Sequence, residues 1–219
     1  MNEPEVYMFR RDEPESQRLN HQHALLAKFS HRELLHRSID RSKIVNVADI
    51  ATGTGIWLQD LSSLLKNVPG TGPRYYHGFD ISPSQFPPDE ENIKFTVHDT
   101  LKPFPKEHWA RYDVVHVRLV FLAIKECDIM TALHNMTQLL KPGGYLHWDE
   151  FDGDSFFGTQ NIPGSSVIAD YARSVGLTMS VSQVIRDAAE KAGLQDISRE
   201  SYSSSQPVGL TRRCEAMVS

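Results

Sequence analysis

The segment Val45-Asn46-Val47-Ala48-Asp49-Ile50-Ala51-Thr52-Gly53-Thr54-Gly55 most constrains what this chain can fold into. A short apolar run carrying an acid, a Gly-x-Gly turn and the amphipathic stretch 56–65 read as strand, tight turn and helix. That order opens a doubly wound α/β sheet, which collects ligands at the carboxyl ends of its strands. A dinucleotide fingerprint would need a third glycine where Leu58 stands, so the helix start is not built for a pyrophosphate. Asp49, just before the turn, would repel a pyrophosphate and suit an ammonium such as that of a methionine moiety. An ordinary βα corner of an unrelated α/β protein fits the same letters.

The remaining composition narrows the class. The chain has 219 residues, 40% hydrophobic and 23% charged, enough for one domain with a real core. A net charge of −5 leaves no basic footprint for nucleic acid. No apolar run approaches the ~20 residues that span a bilayer. The opening Met-Asn-Glu-Pro-Glu lacks the apolar stretch of a secretory signal. Two distant cysteines, Cys127 and Cys214, suggest no disulfide framework, and a reducing, cytoplasmic location is expected. The only close pair among the ten histidines is His21 and His23. Two residues apart on a helix they face differently, so no metal site is expected.

Along the chain, apolar spacing over 16–39 predicts one or two amphipathic helices, and 45–51 the first strand. Residues 75–81 read as strand two, ending at Asp80, 25 residues after Gly55. A carboxylate there can accept from a vicinal diol such as ribose, or cap a helix. Residues 93–100 read as strand three with Asp99 at its end, fit for an adenine amino group or for capping a turn. Strand four is expected at 113–121, a helix at 128–140 stopped by Lys141-Pro142-Gly143-Gly144, and strand five at 145–151. Helices at 165–175 and 181–192 and a sixth strand at 197–201 complete an α/β alternation.

Asp49 to Gly55, Asp80 and Asp99 in that order resemble a class I S-adenosylmethionine-dependent methyltransferase, as does Leu140-Lys141-Pro142-Gly143-Gly144-Tyr145 before strand five. A narrower similarity is to fungal secondary-metabolism methyltransferases, a group of tailoring enzymes and LaeA-like regulators. It rests on Tyr7-x-Phe9, Glu15-x-x-Arg18-Leu19-x-x-Gln22-His23, residues 48–57, Asp80-Ile81-Ser82-Pro83, His116-x-Arg118 and Trp148-x-Glu150. The resemblance implies a Rossmann-like, mainly parallel sheet at 41–219 under cap helices at 1–40. It implies S-adenosylmethionine held by Arg18, Gln22, Asp49, Ala51, Thr52, Gly53, Gly55, Asp80, Ile81, Asp99, Thr100 and Val117. It also implies a small-molecule acceptor methylated at N, O or S; the charge and the apolar runs argue for no nucleic acid or membrane partner. Arg18 and Gln22 share a helix face and His23 is offset; a solvated face with a snorkelling Arg18 is the plain alternative.

Candidates for the acceptor chemistry are His116, Arg118 and Glu150, with His147 and Asp149 beside them. Alternation puts His147 and Asp149 on one face of strand five, Trp148 and Glu150 on the other. A histidine is the easier base near neutral pH, though His116 could equally bond a backbone carbonyl, and no general base is singled out. Trp148, Phe151, Phe156 and Phe157 offer an aromatic rim or core packing. The class closes its sheet with a final antiparallel strand, which the tail 202–219 does not provide. A missing strand would leave an edge for a protein partner or a second copy. It also keeps open a LaeA-like regulatory role, with a nuclear location, in place of small-molecule turnover.

Overall fold

The computed structural model describes residues 9–31, 33–70, 72–151 and 165–202. Strands β1 (Asn46–Ile50), β2 (Tyr75–Asp80), β3 (Ile93–Val97), β4 (Tyr112–Arg118) and β5 (Leu140–Asp149) form one sheet. Its order is β3-β2-β1-β4-β5, with every pair parallel. The order reverses between β1 and β4, so the crevice for a ligand lies at their carboxyl ends. No antiparallel strand occurs among the described residues, and none of their helices is long and apolar enough to cross a membrane.

Helices α1 (Glu13–Phe29), α2 (Ile56–Leu65), α3 (Ile129–Thr137), α4 (Ser165–Ser174) and α5 (Val181–Lys191) complete the elements. The sheet's period of two sorts its side chains between two cores. On one face Val47, Tyr76, Ile93 and Val114 meet Trp57, Leu58, Leu61 and Leu65 of α2, together with Leu35, Ile39 and Ile44. On the other, Ala48, Ile50, Val115, Val117, Leu146 and Trp148 pack against Leu133 and Met136 of α3 and Ile185 and Ala189 of α5. Each large side chain buried in this way contributes roughly 1.5–3 kcal/mol. Helix α1 starts on Asp12, whose side chain accepts from the Glu15 N–H at 3.1 Å.

Three expectations are corrected. The first concerns the extent of helix over 16–39: one of the one or two expected helices forms, α1, but residues 33–40 are turn and coil, with Leu34, Leu35 and Ile39 buried. The second concerns Lys141-Pro142-Gly143-Gly144, which does not stop a helix at 140. Helix α3 ends at Thr137 and Leu140 already pairs with Tyr112, the next matched pair being Val114 with Tyr145. The intervening residues bulge. Gly144 is required there because a Cβ would stand 3.0 Å from the carbonyl oxygens of Lys141 and Tyr112. The third is the sixth strand, since residues 197–201 form none. Side chains tie that segment down instead: Glu200 pairs with Arg37 and His36, and the Tyr202 hydroxyl donates to Glu33 and Glu200. Tyr7, Phe156, Phe157, Cys214 and the tail 203–219 lie outside the described residues.

Candidate active site

The Gly-x-Gly turn is held by strand-end acids. Ala51 (φ 54°), Gly53 (φ 55°) and Gly55 (φ 69°) all adopt the left-handed region, which folds the chain back sharply between β1 and α2. Gly55 has no room for a side chain, as a Cβ would meet the Phe95 ring at 2.7 Å. The Gly53 N–H donates to Asp80 Oδ2 at 2.9 Å and the Thr52 N–H to the Phe79 carbonyl at 3.0 Å. Burial raises the Asp80 carboxyl above the ordinary range, against the bonds from the Gly53 and Ser82 N–H groups.

Asp49 faces inward. Its Oδ2 accepts from the Thr52 hydroxyl at 2.7 Å and its Oδ1 pairs with His116 Nδ1 at 2.6 Å. The register explains why: Asp49, His116 and His147 lie side by side on β1, β4 and β5. Trp57 of α2 covers this rung, stacking on the His116 ring at 3.6 Å. Asp149 follows on the same face, 3.4 Å from His147 Nε2 and 3.5 Å from His116 Nε2, as the alternation predicted. On the opposite face Glu150 is buried, accepting from the N–H groups of Val120 and Phe151 and from Trp148 Nε1. Burial pushes its carboxyl up to about 8 in spite of those bonds.

Helix α1 roofs the crevice. Arg18 and Gln22, with Thr52, Gly53, Arg118 and Phe151, line a cavity of about 380 Å³ that is otherwise walled by Phe9, Leu19, Leu25, Leu26, Phe29, Phe121 and Leu122. Arg18 is drawn to Glu15 by two 2.7 Å contacts and lies over Phe9. His23 points elsewhere: its Nδ1 accepts from Arg118 at 3.0 Å and its Nε2 meets Asp60 of α2 at 2.9 Å. Sequence reasoning missed the apolar wall from α1, although Leu19, Leu26 and Phe29 recur at helical spacing; nothing in that spacing separates a ligand wall from core. Trp148 belongs to the core and not to the rim, whereas Phe151 and Phe121 stand at the cavity. Val117 is likewise a core side chain.

Asp99 accepts from the Leu101 N–H at 2.9 Å, the turn-capping arrangement. The adjacent Thr100 hydroxyl is buried without a hydrogen-bond partner. Ile81 (54% exposed) and Val97 (51%) present bare apolar surface at the ends of β2 and β3. Asp80 uses two of its roughly four acceptor positions. A nucleoside fits these features: a diol on Asp80, a flat base against Ile81 and Val97, and a polar tail toward the turn.

The sequence profile of the family described as "Methyltransferase domain" matches residues 16–199. Methyltransferase grgD of Penicillium sp is 39% identical over 207 residues, covering 90% of this chain and 72% of that protein. N-methyltransferase verN of Clonostachys rogersoniana is 33% identical over 149 residues, covering 66% of this chain and 50% of that protein. The chain thus spans about half the length of verN and of the N-methyltransferase gliN of Aspergillus fumigatus. Among solved structures, human N-acetylserotonin methyltransferase in complex with S-adenosylmethionine superimposes with a TM-score of 0.62 at 18% identity, over 95% of this chain and 57% of that one. A putative Haloferax volcanii methyltransferase in complex with the activator Trm112 gives 0.65 at 19%, over 90% and 80%. By profile and relatives the chain belongs to the methyltransferase-domain family, and its fold is that of the methyltransferases among the solved structures.

Proposed function

We propose that this protein methylates a nitrogen, oxygen or sulfur atom of a small-molecule secondary metabolite. The observation that carries the reading is the Gly53 N–H bond to Asp80 at 2.9 Å, which fixes a glycine turn at the mouth of an apolar 380 Å³ cavity. The names of the fungal relatives support a metabolite acceptor, and those called N-methyltransferases favour nitrogen as the first atom to test. A cytoplasmic location goes with this reading.

When bound, S-adenosylmethionine supplies an electrophilic methyl carbon, so the chain need only align an acceptor and, for some acceptors, move a proton. Asp80 and Ile81 read the nucleoside, with Asp99 and Thr100 at its base. Ala51 to Gly55 let the turn approach it closely, and Arg18 and Gln22 close over the tail. Leu19, Leu26, Phe29, Phe121 and Phe151 exclude water and hold an apolar acceptor. Of the three acceptor-side candidates only Arg118 lines this cavity. His116 and Glu150, both buried, serve as positioning residues: His116 orients Asp49, and Glu150 holds the turn after β4 through the Val120 N–H. An unprotonated amine acceptor needs no further base.

Calorimetric titration with S-adenosylmethionine, then S-adenosylhomocysteine, tests the reading. Near-stoichiometric binding to the wild-type chain is expected, weakened at least about tenfold, roughly 1.4 kcal/mol, in folded Asp80→Ala. Equal affinity in the two proteins would remove Asp80 from the site. Transfer of labelled methyl to apolar amine-bearing metabolites is the second stage.

A further inference from the structure

The polar rung behind the cofactor turn contains an unsatisfied group. His116 Nδ1 lies 2.6 Å from Asp49 Oδ1. A carboxylate only accepts, so Nδ1 carries a hydrogen, and Nε2 either carries a second one or offers a lone pair. That Nε2 is buried and has no hydrogen-bond partner. Asp149 Oδ2 faces it at 3.5 Å, and Asp149 Oδ1 faces His147 Nε2 at 3.4 Å, both too long for hydrogen bonds. A buried lone pair opposite a carboxylate is unfavourable unless a cation stands between them.

We infer that His116, His147 and Asp149 form a site for a divalent transition metal, with zinc as the occupant. Ligand bonds of about 2.0–2.1 Å in a tetrahedron put neighbouring ligand atoms about 3.3–3.4 Å apart; each histidine Nε2 stands close to that distance from one Asp149 oxygen, His116 from Oδ2 and His147 from Oδ1. One ring nitrogen from each histidine and one Asp149 oxygen all lie within 4.8 Å of one another. Asp49 on the far nitrogen of His116 is the outer carboxylate that metal-bound histidines commonly carry; it fixes the tautomer that leaves Nε2 free to ligate. Two imidazoles disfavour magnesium and calcium, which take oxygen ligands. Six-coordinate iron would need three further positions beyond these ligands, whereas four-coordinate zinc needs one. Sequence spacing hides the set: His116 and His147 stand on adjacent strands, brought together by register alone.

The test uses the full chain, stripped with EDTA, and cobalt(II) as the coloured stand-in for zinc. One equivalent of cobalt should bind and give the intense visible absorption of a four-coordinate ion, and one equivalent of zinc should abolish it. His147→Ala and Asp149→Asn should each lose the absorption. Asp49→Asn should weaken zinc binding about 10–100-fold, as loss of an outer-shell partner does, while His21→Ala should bind as wild type. A folded wild-type chain that takes up no cobalt stoichiometrically would overturn the site, a proton on His116 then bridging the carboxylates. So would undiminished binding by Asp149→Asn, which marks adventitious uptake; if His147→Ala fails to fold by circular dichroism, Asp149→Asn decides alone. No cofactor or acceptor enters the readout, so methyl transfer stands or falls separately.

Discussion

Glu150 shows how burial and hydrogen bonding compete at one side chain. Burial raises its carboxyl to about 8, outweighing the N–H groups of Phe151 and Val120 and the Trp148 indole. The folded protein therefore keeps a proton that the unfolded chain gives up near pH ~4.3. Its contribution to stability is fully present below that value and is lost as pH rises through about 8. Glu150→Gln should flatten this decline, worth up to a few kcal/mol, in urea melts between acidic and alkaline pH. A parallel slope in both proteins would contradict it. Gly55 is the steric counterpart. With φ at 69° and the Phe95 ring 2.7 Å from a would-be Cβ, Gly55→Ala should cost about 1–3 kcal/mol by chemical denaturation. A wild-type midpoint would show that Phe95 yields freely. The sequence marked Gly55 and Glu150 as important, but not why. Glycine spacing does not reveal the Phe95 ring, and alternation does not reveal three donors converging on one carboxylate.

Among the elements, α1 is attached through a titratable group. His23 links Arg118 on β4 to Asp60 on α2. Burial, then the Arg118 charge, lowers its pKa below 6.5 although Asp60 pulls the other way. A depressed histidine contributes stability above its unfolded pKa that is lost as pH falls through the folded one. Below about pH 6.5, amides of α1 should therefore lose protection relative to their intrinsic exchange rates, and His23→Ala should show low protection at every pH. That variant should also bind cofactor roughly tenfold more weakly, from losing about 1–1.5 kcal/mol of hydrogen bonding. Protection in α1 that ignores both pH and the substitution would mean that apolar packing alone holds the helix. The strands and helices with strong periodicity were legible: 56–65 coincides with α2, and β2 to β4 differ by few residues at their ends. Segments 33–40 and 197–201 were not, because coil buries Leu34, Leu35 and Ile39 of the first, and side-chain ties to Arg37, His36 and Glu33 hold the second, where Ile197 is partly buried. Period-based reading turns any such run into an element.

For the molecule as a whole, the parallel order β3-β2-β1-β4-β5 makes cofactor binding and global stability one equilibrium. Every proposed nucleoside contact stands at a strand end or on α1, and no part of that constellation survives unfolding. The acids and glycines stand out in the sequence because each lies at or just past the end of a recognisable strand. The rung Asp49–His116–His147 does not, since it exists only through register across three strands. A ligand that binds only the folded state stabilises it by RT ln(1 + [L]/Kd), about 2.7 kcal/mol at a hundredfold excess over Kd. For a domain of this size each kcal/mol moves the midpoint by about 2–4 °C, so S-adenosylhomocysteine at that excess should raise the melting temperature by about 5–10 °C. The shift should shrink in Asp80→Ala at the same concentration, in step with its weaker calorimetric affinity. A calorimetric Kd without the matching thermal shift would place the ligand on a surface that persists in the unfolded chain, and so away from the strand ends.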